Sequence, residues 1–140
     1  MWRSLKRLGV GQLTDGLVTL PSDARTREQL EWVAEQIIEF GGEASVWLAL
    51  PATVAQERQV AAAMAAARAQ EYDAVIAEAT DATDLDERAR QRMASRLNAE
   101  LRRIERRDYF PPEEREQAQT AVDALLGQAA RPTTLRKARR

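Results

Sequence analysis

Three cations near the start of the chain are the first candidates for chemistry. Arg3, Lys6 and Arg7 fall within ten residues that contain no acid. Guanidinium and ammonium groups bind phosphates and other oxyanions through charge-assisted hydrogen bonds. We therefore treat these three side chains as candidate contacts for a DNA phosphate or a small oxyanion. The alternative is a solvated helix face, since three charges are few for a phosphate interface.

A second group of cations lies in an arginine-rich stretch that we predict to be helical over residues 84–107. It holds eight arginines and five acids, a net charge of +3. Its densest cluster is Arg102, Arg103, Arg106 and Arg107. Helical spacing predicts the ion pairs Asp86–Arg90 and Glu100–Arg103, which would neutralise part of this charge. The cluster is either structural, complementing the helix dipole, or an anion and nucleic-acid surface, although no clean helix-turn-helix accompanies it.

Two reactive residue types are missing, because the chain contains no His and no Cys. Their absence excludes thiolate nucleophiles, disulfides, Ser-His-Asp chemistry and ordinary zinc sites. Asp81, Asp84, Asp86 and Glu87 could offer oxygen ligands to a divalent metal, but a capped helix start explains the same residues. We expect a chain that is not an enzyme, with no catalytic residues, no cofactor and no metal site.

The overall charge is nearly balanced, at −1 for 140 residues, so bulk electrostatics does not argue for nucleic-acid binding. The last ten residues carry five cations and no acid, and we predict a basic disordered tail over 131–140. No apolar run approaches the roughly 20 residues that span a membrane, and no signal peptide is visible. We therefore expect a cytoplasmic protein with no membrane partner.

The first part of the chain must position Arg3, Lys6 and Arg7. Apolar periodicity predicts a short helix over 2–9, followed by extended chain from Gln12 to Leu20 with a turn candidate at Asp15-Gly16. This extended chain forms either two paired strands or one bent strand.

A second helix and a further strand follow. Thr26 has the spacing of a capping box and would begin the second helix. Gly41-Gly42 would end that helix. Alternation over 44–50 then predicts a strand with one buried face. Trp47 falls on the opposite face of that strand, which suggests that another segment or a second subunit covers it.

The remaining chain reads as three helices. Thr53 caps an alanine-rich helix that reaches about Ala79, and the spacing of Asp84 and Glu87 predicts the start of the arginine-rich helix. The arginine-rich helix carries an apolar stripe of Leu85, Ala89, Met93, Leu97, Leu101 and Ile104. Pro111-Pro112 begins a last helix that ends at Gly127.

The predicted fold class is α+β. A small ferredoxin-like sheet of two or three strands has helices on one face and is followed by a three-helix extension. The corresponding domains are a truncated ferredoxin-like unit over 1–52, a helical extension over 53–130 and the tail.

The segment WRSLKRLG at residues 2–9 matches the first eight positions of the pattern WR-x-L-(K/R)-R-L-G-A. This pattern begins a set of motifs that resembles the N-terminal domain of the chromate-resistance regulator ChrB. Its strand ending in Leu-Pro is matched by Gln12, Asp15, Leu20 and Pro21. Its next helix and GGEA turn are matched over 30–44, and ELRRIERRDYF at 100–110 resembles a later family helix. The resemblance covers roughly residues 2–126.

The resemblance implies a role in chromate resistance, in which chromate-responsive regulators control an efflux operon. The implied partners are the DNA of that operon's operator and chromate itself. A homodimer, or docking on a separate ChrB C-terminal domain, is the alternative role of a protein-interaction module. A metal-dependent nuclease is the least favoured reading, because the carboxylate that similar ferredoxin-like nucleases carry on a first strand has no counterpart here.

Two features of the family's pattern have no match in this sequence. Family members usually have a strand before the Trp-Arg helix, whereas here Met1 directly precedes Trp2. Full-length ChrB proteins also carry a further C-terminal domain, so no residues of that domain are transferred to this chain. Either this chain lacks that first strand, or the start of the chain was assigned too late. We expect a sheet without the strand to have an exposed edge or an open slot.

Overall fold

A computed structural model describes residues 1–127 of the chain. Within that range the elements are α1 (Trp2–Leu8), β1 (Gly11–Thr14), β2 (Leu17–Thr19), α2 (Ala24–Glu39), α3 (Val54–Asp81), α4 (Glu87–Glu105) and α5 (Glu114–Gly127). The predicted α+β class with a helical extension is confirmed, and the sheet has two strands. None of these helices is both long and apolar enough to span a membrane. The predicted tail, 131–140, lies outside the described residues.

The chain divides into two compact units. The first unit comprises Met1–Ala65 together with Arg107–Phe110, and the second comprises Ala66–Arg106 together with residues 111–127. The predicted domain boundaries after residues 52 and 130 stay predictions.

A tight hairpin follows α1 in the first unit. β1 pairs antiparallel with β2, with Gly11 opposite Thr19 and an irregularity in the register between Gln12 and Thr14. Asp15 and Gly16 form the turn, and Gly16 has a φ of 78°, which a residue without a Cβ adopts at little cost. The alternative of two paired strands is therefore confirmed.

The start of α2 lies three residues before the predicted one. Asp23 is the N-cap, and its carboxylate accepts a hydrogen bond of 2.8 Å from the Thr26 amide. The Asp23 amide in turn donates to Thr26 Oγ1, and the buried Thr26 hydroxyl donates to the Pro21 carbonyl at 2.5 Å. The prediction of Thr26 as the N-cap was wrong, because both residues favour caps and the aspartate takes that position. The hydrogen bond from the Thr26 amide lowers the pKa of exposed Asp23.

The end of α2 agrees with the predicted glycine stop. Gly41 has a φ of 85°, and its amide donates to the Ile38 carbonyl, while the Gly42 amide donates to the Ile37 carbonyl. This pair of hydrogen bonds is the Schellman motif, in which a left-handed residue lets the last carbonyls find donors.

The strand predicted over 44–50 is not formed. Residues 43–50 belong to no helix or strand, and they make no backbone–backbone hydrogen bond to any residue in 1–127. A period-2 pattern favours an extended chain, but a strand also needs a neighbouring strand to pair with. The predicted third strand was therefore wrong as a sheet element of this chain.

The second unit has a closed apolar core between the latter part of α3, α4 and α5. Its largest fully buried side chains are Tyr72, Leu97, Leu101, Ile104 and Val122. The predicted stripe of α4 is confirmed from Met93 to Ile104, whereas Leu85 is exposed because it precedes the helix. Asp86, and not Asp84, caps α4, because its carboxylate accepts from the Ala89 amide at 2.8 Å.

Candidate nucleic-acid interface

The basic face of α1 is the clearest candidate surface. Arg3, Lys6 and Arg7 are all exposed, and none forms an ion pair with an acid of residues 1–127. The Lys6 ammonium lies 5.6 Å from the centre of the Trp2 ring, within the range of a cation–π contact. The helix therefore presents three cations with no acid partner and one aromatic ring, groups that can bind phosphate and stack on a base.

A contact from far along the sequence holds the end of α1. The Tyr109 hydroxyl donates a hydrogen bond of 2.9 Å to the Leu8 carbonyl, across 101 residues of sequence. Gly9, with a φ of 77°, ends the helix, and its amide donates to the Lys6 carbonyl. Tyr109 is thus a positioning residue for the basic helix. The sequence offered no signal for this contact beyond the family likeness of the Asp108-Tyr109-Phe110 stretch.

The four arginines of the second predicted cluster differ in exposure and in ion pairing. Arg103 forms a 2.7 Å ion pair with Glu100, as predicted, whereas Arg102 and Arg106 are exposed and without an ion pair in the described chain. Arg107 is half-buried and belongs to the first unit, while the other three arginines belong to the second. Arg102 and Arg106 are the members of this cluster that remain available to an anion.

Two further ion pairs join α4 to its neighbouring helices within the second unit. Arg96 pairs with Glu78 of α3, and Glu105 lies 3.7 Å from Arg115 of α5. These pairs were not predicted, because each partner comes from a different helix.

Arg90 has an environment that the sequence did not indicate. The predicted Asp86–Arg90 ion pair is not formed, because the Asp86 carboxylate caps α4 instead. Arg90 lies beside a cavity of about 140 Å³, and its buried Nε has no hydrogen-bond partner in the described chain. The cavity is also lined by Ala79, Thr80, Thr83, Ala121, Ala124 and Leu125. A cation with an open donor beside a small cavity is a second candidate position for an anion.

The carboxylates near the α3–α4 turn do not gather around a common point. Within residues 1–127, no group of three or more carboxylates is arranged to hold a metal ion. Asp81 is the last residue of α3, and Asp86 caps α4.

A family model described as "Protein ChrB, N-terminal" matches residues 1–131. The chain belongs to the ChrB N-terminal domain family. It is a chromate-resistance-related protein, and the resemblance identified from its motifs is confirmed. The match includes both basic surfaces and Tyr109. No curated protein and no solved structure matches the chain.

Proposed function

We propose that this ChrB N-terminal domain is a non-catalytic module of chromate-responsive transcriptional regulation. It contacts the operator of a chromate-efflux operon through the basic face of α1. The observation that carries the proposal is the set of three exposed cations, Arg3, Lys6 and Arg7, which have no acid partner in residues 1–127. Family membership supplies the link to chromate resistance.

The size of the expected effect follows from counterion release. Each phosphate neutralised by a cation contributes about −0.9 to the slope of log K against log salt. Three contacts from α1 therefore contribute about −2.7. Arg102 and Arg106 add to this slope if they also reach the DNA.

Operator binding at several salt concentrations tests this proposal, with fluorescence anisotropy as the readout. The variant R3Q/K6Q/R7Q is expected to bind more weakly and to lose about 2.7 from the slope. The matched control R25Q/R27Q/R58Q removes the same number of charges from exposed positions of the first unit and should change the slope by less. Undetectable binding by the native chain, or equal losses in both variants, would contradict a DNA contact through α1.

Chromate is the proposed effector, and two positions can receive it. The face of α1 offers three cations, whereas Arg90 offers a buried donor beside a cavity. Chromate titrated against the native chain, R90Q and R3Q/K6Q/R7Q by calorimetry separates the two positions. We expect R90Q to cause the larger loss, because a partly buried charge is screened less by solvent than an exposed one. The reverse order would place the anion on α1.

A second candidate function is that of an interaction module that docks on a separate ChrB C-terminal domain. It is favoured by the large apolar side chains that the first unit exposes, above all Phe40, Trp47 and Leu50. Surfaces of this kind usually mark a protein contact. Titration of a purified ChrB C-terminal domain into the chain should then give saturable binding, and its absence would remove this candidate. A metal-dependent nuclease has the least support.

A further inference from the structure

Residues 43–50 combine an unpaired backbone with exposed apolar side chains, a combination that is uncommon in a folded protein. Its backbone makes no backbone–backbone hydrogen bond within residues 1–127. Its side chains include Trp47 and Leu50, which are 81% and 93% exposed. These backbone groups lie in an exposed segment, so they are available to a partner strand, and the exposed apolar side chains beside them favour a protein contact.

One side-chain contact agrees with an extended conformation of the segment. Trp47 Nε1 donates a hydrogen bond of 2.9 Å to Ser45 Oγ. Side chains two residues apart lie on one face of an extended chain, whereas on a helix they point away from each other. The alternating burial of Ala44 and Val46 against exposed Ser45 and Trp47 agrees with that geometry.

We propose that residues 43–50 pair with the same segment of a second copy, as an antiparallel strand across a two-fold axis. A row of unpaired backbone donors and acceptors can be matched by another strand. This inference assigns the exposed segment to a second copy of the chain, in place of the ChrB C-terminal domain named above, and is independent of DNA binding.

Self-complementarity is what favours a second copy. With Trp47 opposite its own counterpart, Val46 pairs with Leu48 and Ala44 pairs with Leu50. This register pairs the four apolar residues of one face with one another. A slip of one residue would pair them with residues of the opposite face. The segment's single charge, on Glu43, meets Pro51, so no like charges oppose each other. Such an interface is isologous, as two-fold dimers require.

Solution mass gives the first test. Light scattering of the native chain should show a species of twice the 15.7 kDa chain mass that dissociates on dilution. The variant L48K/L50K should be monomeric at every concentration, and circular dichroism should remain unchanged because these side chains make no core contact. The control L13K/L17K places the same charges on half-exposed leucines of the hairpin and should remain dimeric. A native chain that is monomeric, or a dimer that survives L48K/L50K, overturns the proposal.

Cross-linking tests the register, and the absence of native cysteine makes it specific. Ser45 and Ala49 are opposite each other in the proposed dimer, at a separation that a disulfide can bridge. S45C/A49C should therefore form covalent dimers on mild oxidation. Neither single variant should do so, because each cysteine lies roughly 14 Å from its own copy. Equal cross-linking by the single and double variants, or no cross-linking by the double variant, overturns the register. Operator binding is measured separately, so its failure and failure of the dimer are distinguishable.

Discussion

The two units of this chain bury their apolar residues to very different extents. The second unit has a continuous core in which Tyr72, Leu97 and Val122 are fully buried. In the first unit the buried side chains include Val33 and Met64, while many of its large apolar groups are exposed. The difference indicates that stability is concentrated in the second unit, and that the first unit holds surfaces available for partners.

Truncating a leucine in each unit gives the largest expected contrast. Leu101→Ala leaves a cavity in the closed core of the second unit, and we expect a loss of about 2–5 kcal/mol in unfolding free energy. Leu17→Ala, at a half-exposed position of the hairpin, should cost about 0.5 kcal/mol or less. Urea denaturation followed by circular dichroism measures both values. Similar losses in the two variants would remove the contrast between the units.

The first unit is not without well-ordered contacts, and Thr26 is the clearest of them. Thr26→Ala removes a buried hydroxyl that bonds the Pro21 carbonyl and the Asp23 amide. Leaving such groups without a partner costs about 1–3 kcal/mol. Thr53→Ala, at the exposed N-cap of α3, is the matched control and should cost less. A smaller loss for Thr26 than for Thr53 would mean that this contact contributes little.

The surface ion pair between Glu78 and Arg96 should contribute less to the unfolding free energy than Leu101 or Thr26. Exposed pairs are typically worth no more than about 1 kcal/mol because water and salt screen them. A double-mutant cycle with E78Q and R96Q measures the coupling energy. Coupling well above that range would show that charge pairs, and not apolar burial, distinguish the second unit.

The smallest effect concerns acid stability at the start of α2. The pKa of Asp23 is lowered by the hydrogen bond from the Thr26 amide, so its carboxylate stabilises the fold above the ordinary aspartate pKa. That contribution is lost as the pH falls through the lowered value. NMR titration should place the Asp23 pKa below the ordinary value of an aspartate. D23N should lose this part of the pH dependence, whereas the control E28Q should retain it. An ordinary pKa for Asp23 would contradict the capping geometry.

Local signals made much of the fold predictable from sequence. Gly9, the Asp15-Gly16 turn and the Gly41-Gly42 stop each restrict the backbone where they occur, so α1, the hairpin and the end of α2 could be located. Apolar periodicity likewise located α5 and the buried face of α4. Start positions were less certain, since Asp23 and Thr26, or Asp84 and Asp86, are equally suitable caps by residue type.

Features that depend on distant partners could not be predicted. The Tyr109–Leu8 hydrogen bond joins residues 101 positions apart, and the Glu78–Arg96 pair joins two helices. The pattern of 44–50 indicates an extended chain but cannot show whether a partner strand exists. Helical spacing predicted an ion pair between Asp86 and Arg90. Asp86 instead caps α4, and the Nε of Arg90 has no hydrogen-bond partner in the described chain. The three cations of α1 could be found because they are sequence neighbours on a short helix.

Chromate-responsive binding of operator DNA can be measured in a single competition experiment. Operator affinity is measured at fixed ionic strength while chromate or sulfate is titrated, because both are tetrahedral dianions and screen phosphate contacts alike. We expect chromate to change the affinity by a factor of about ten or more, corresponding to about 1.4 kcal/mol of coupling, and sulfate to have no comparable effect. Identical curves for the two anions would contradict it.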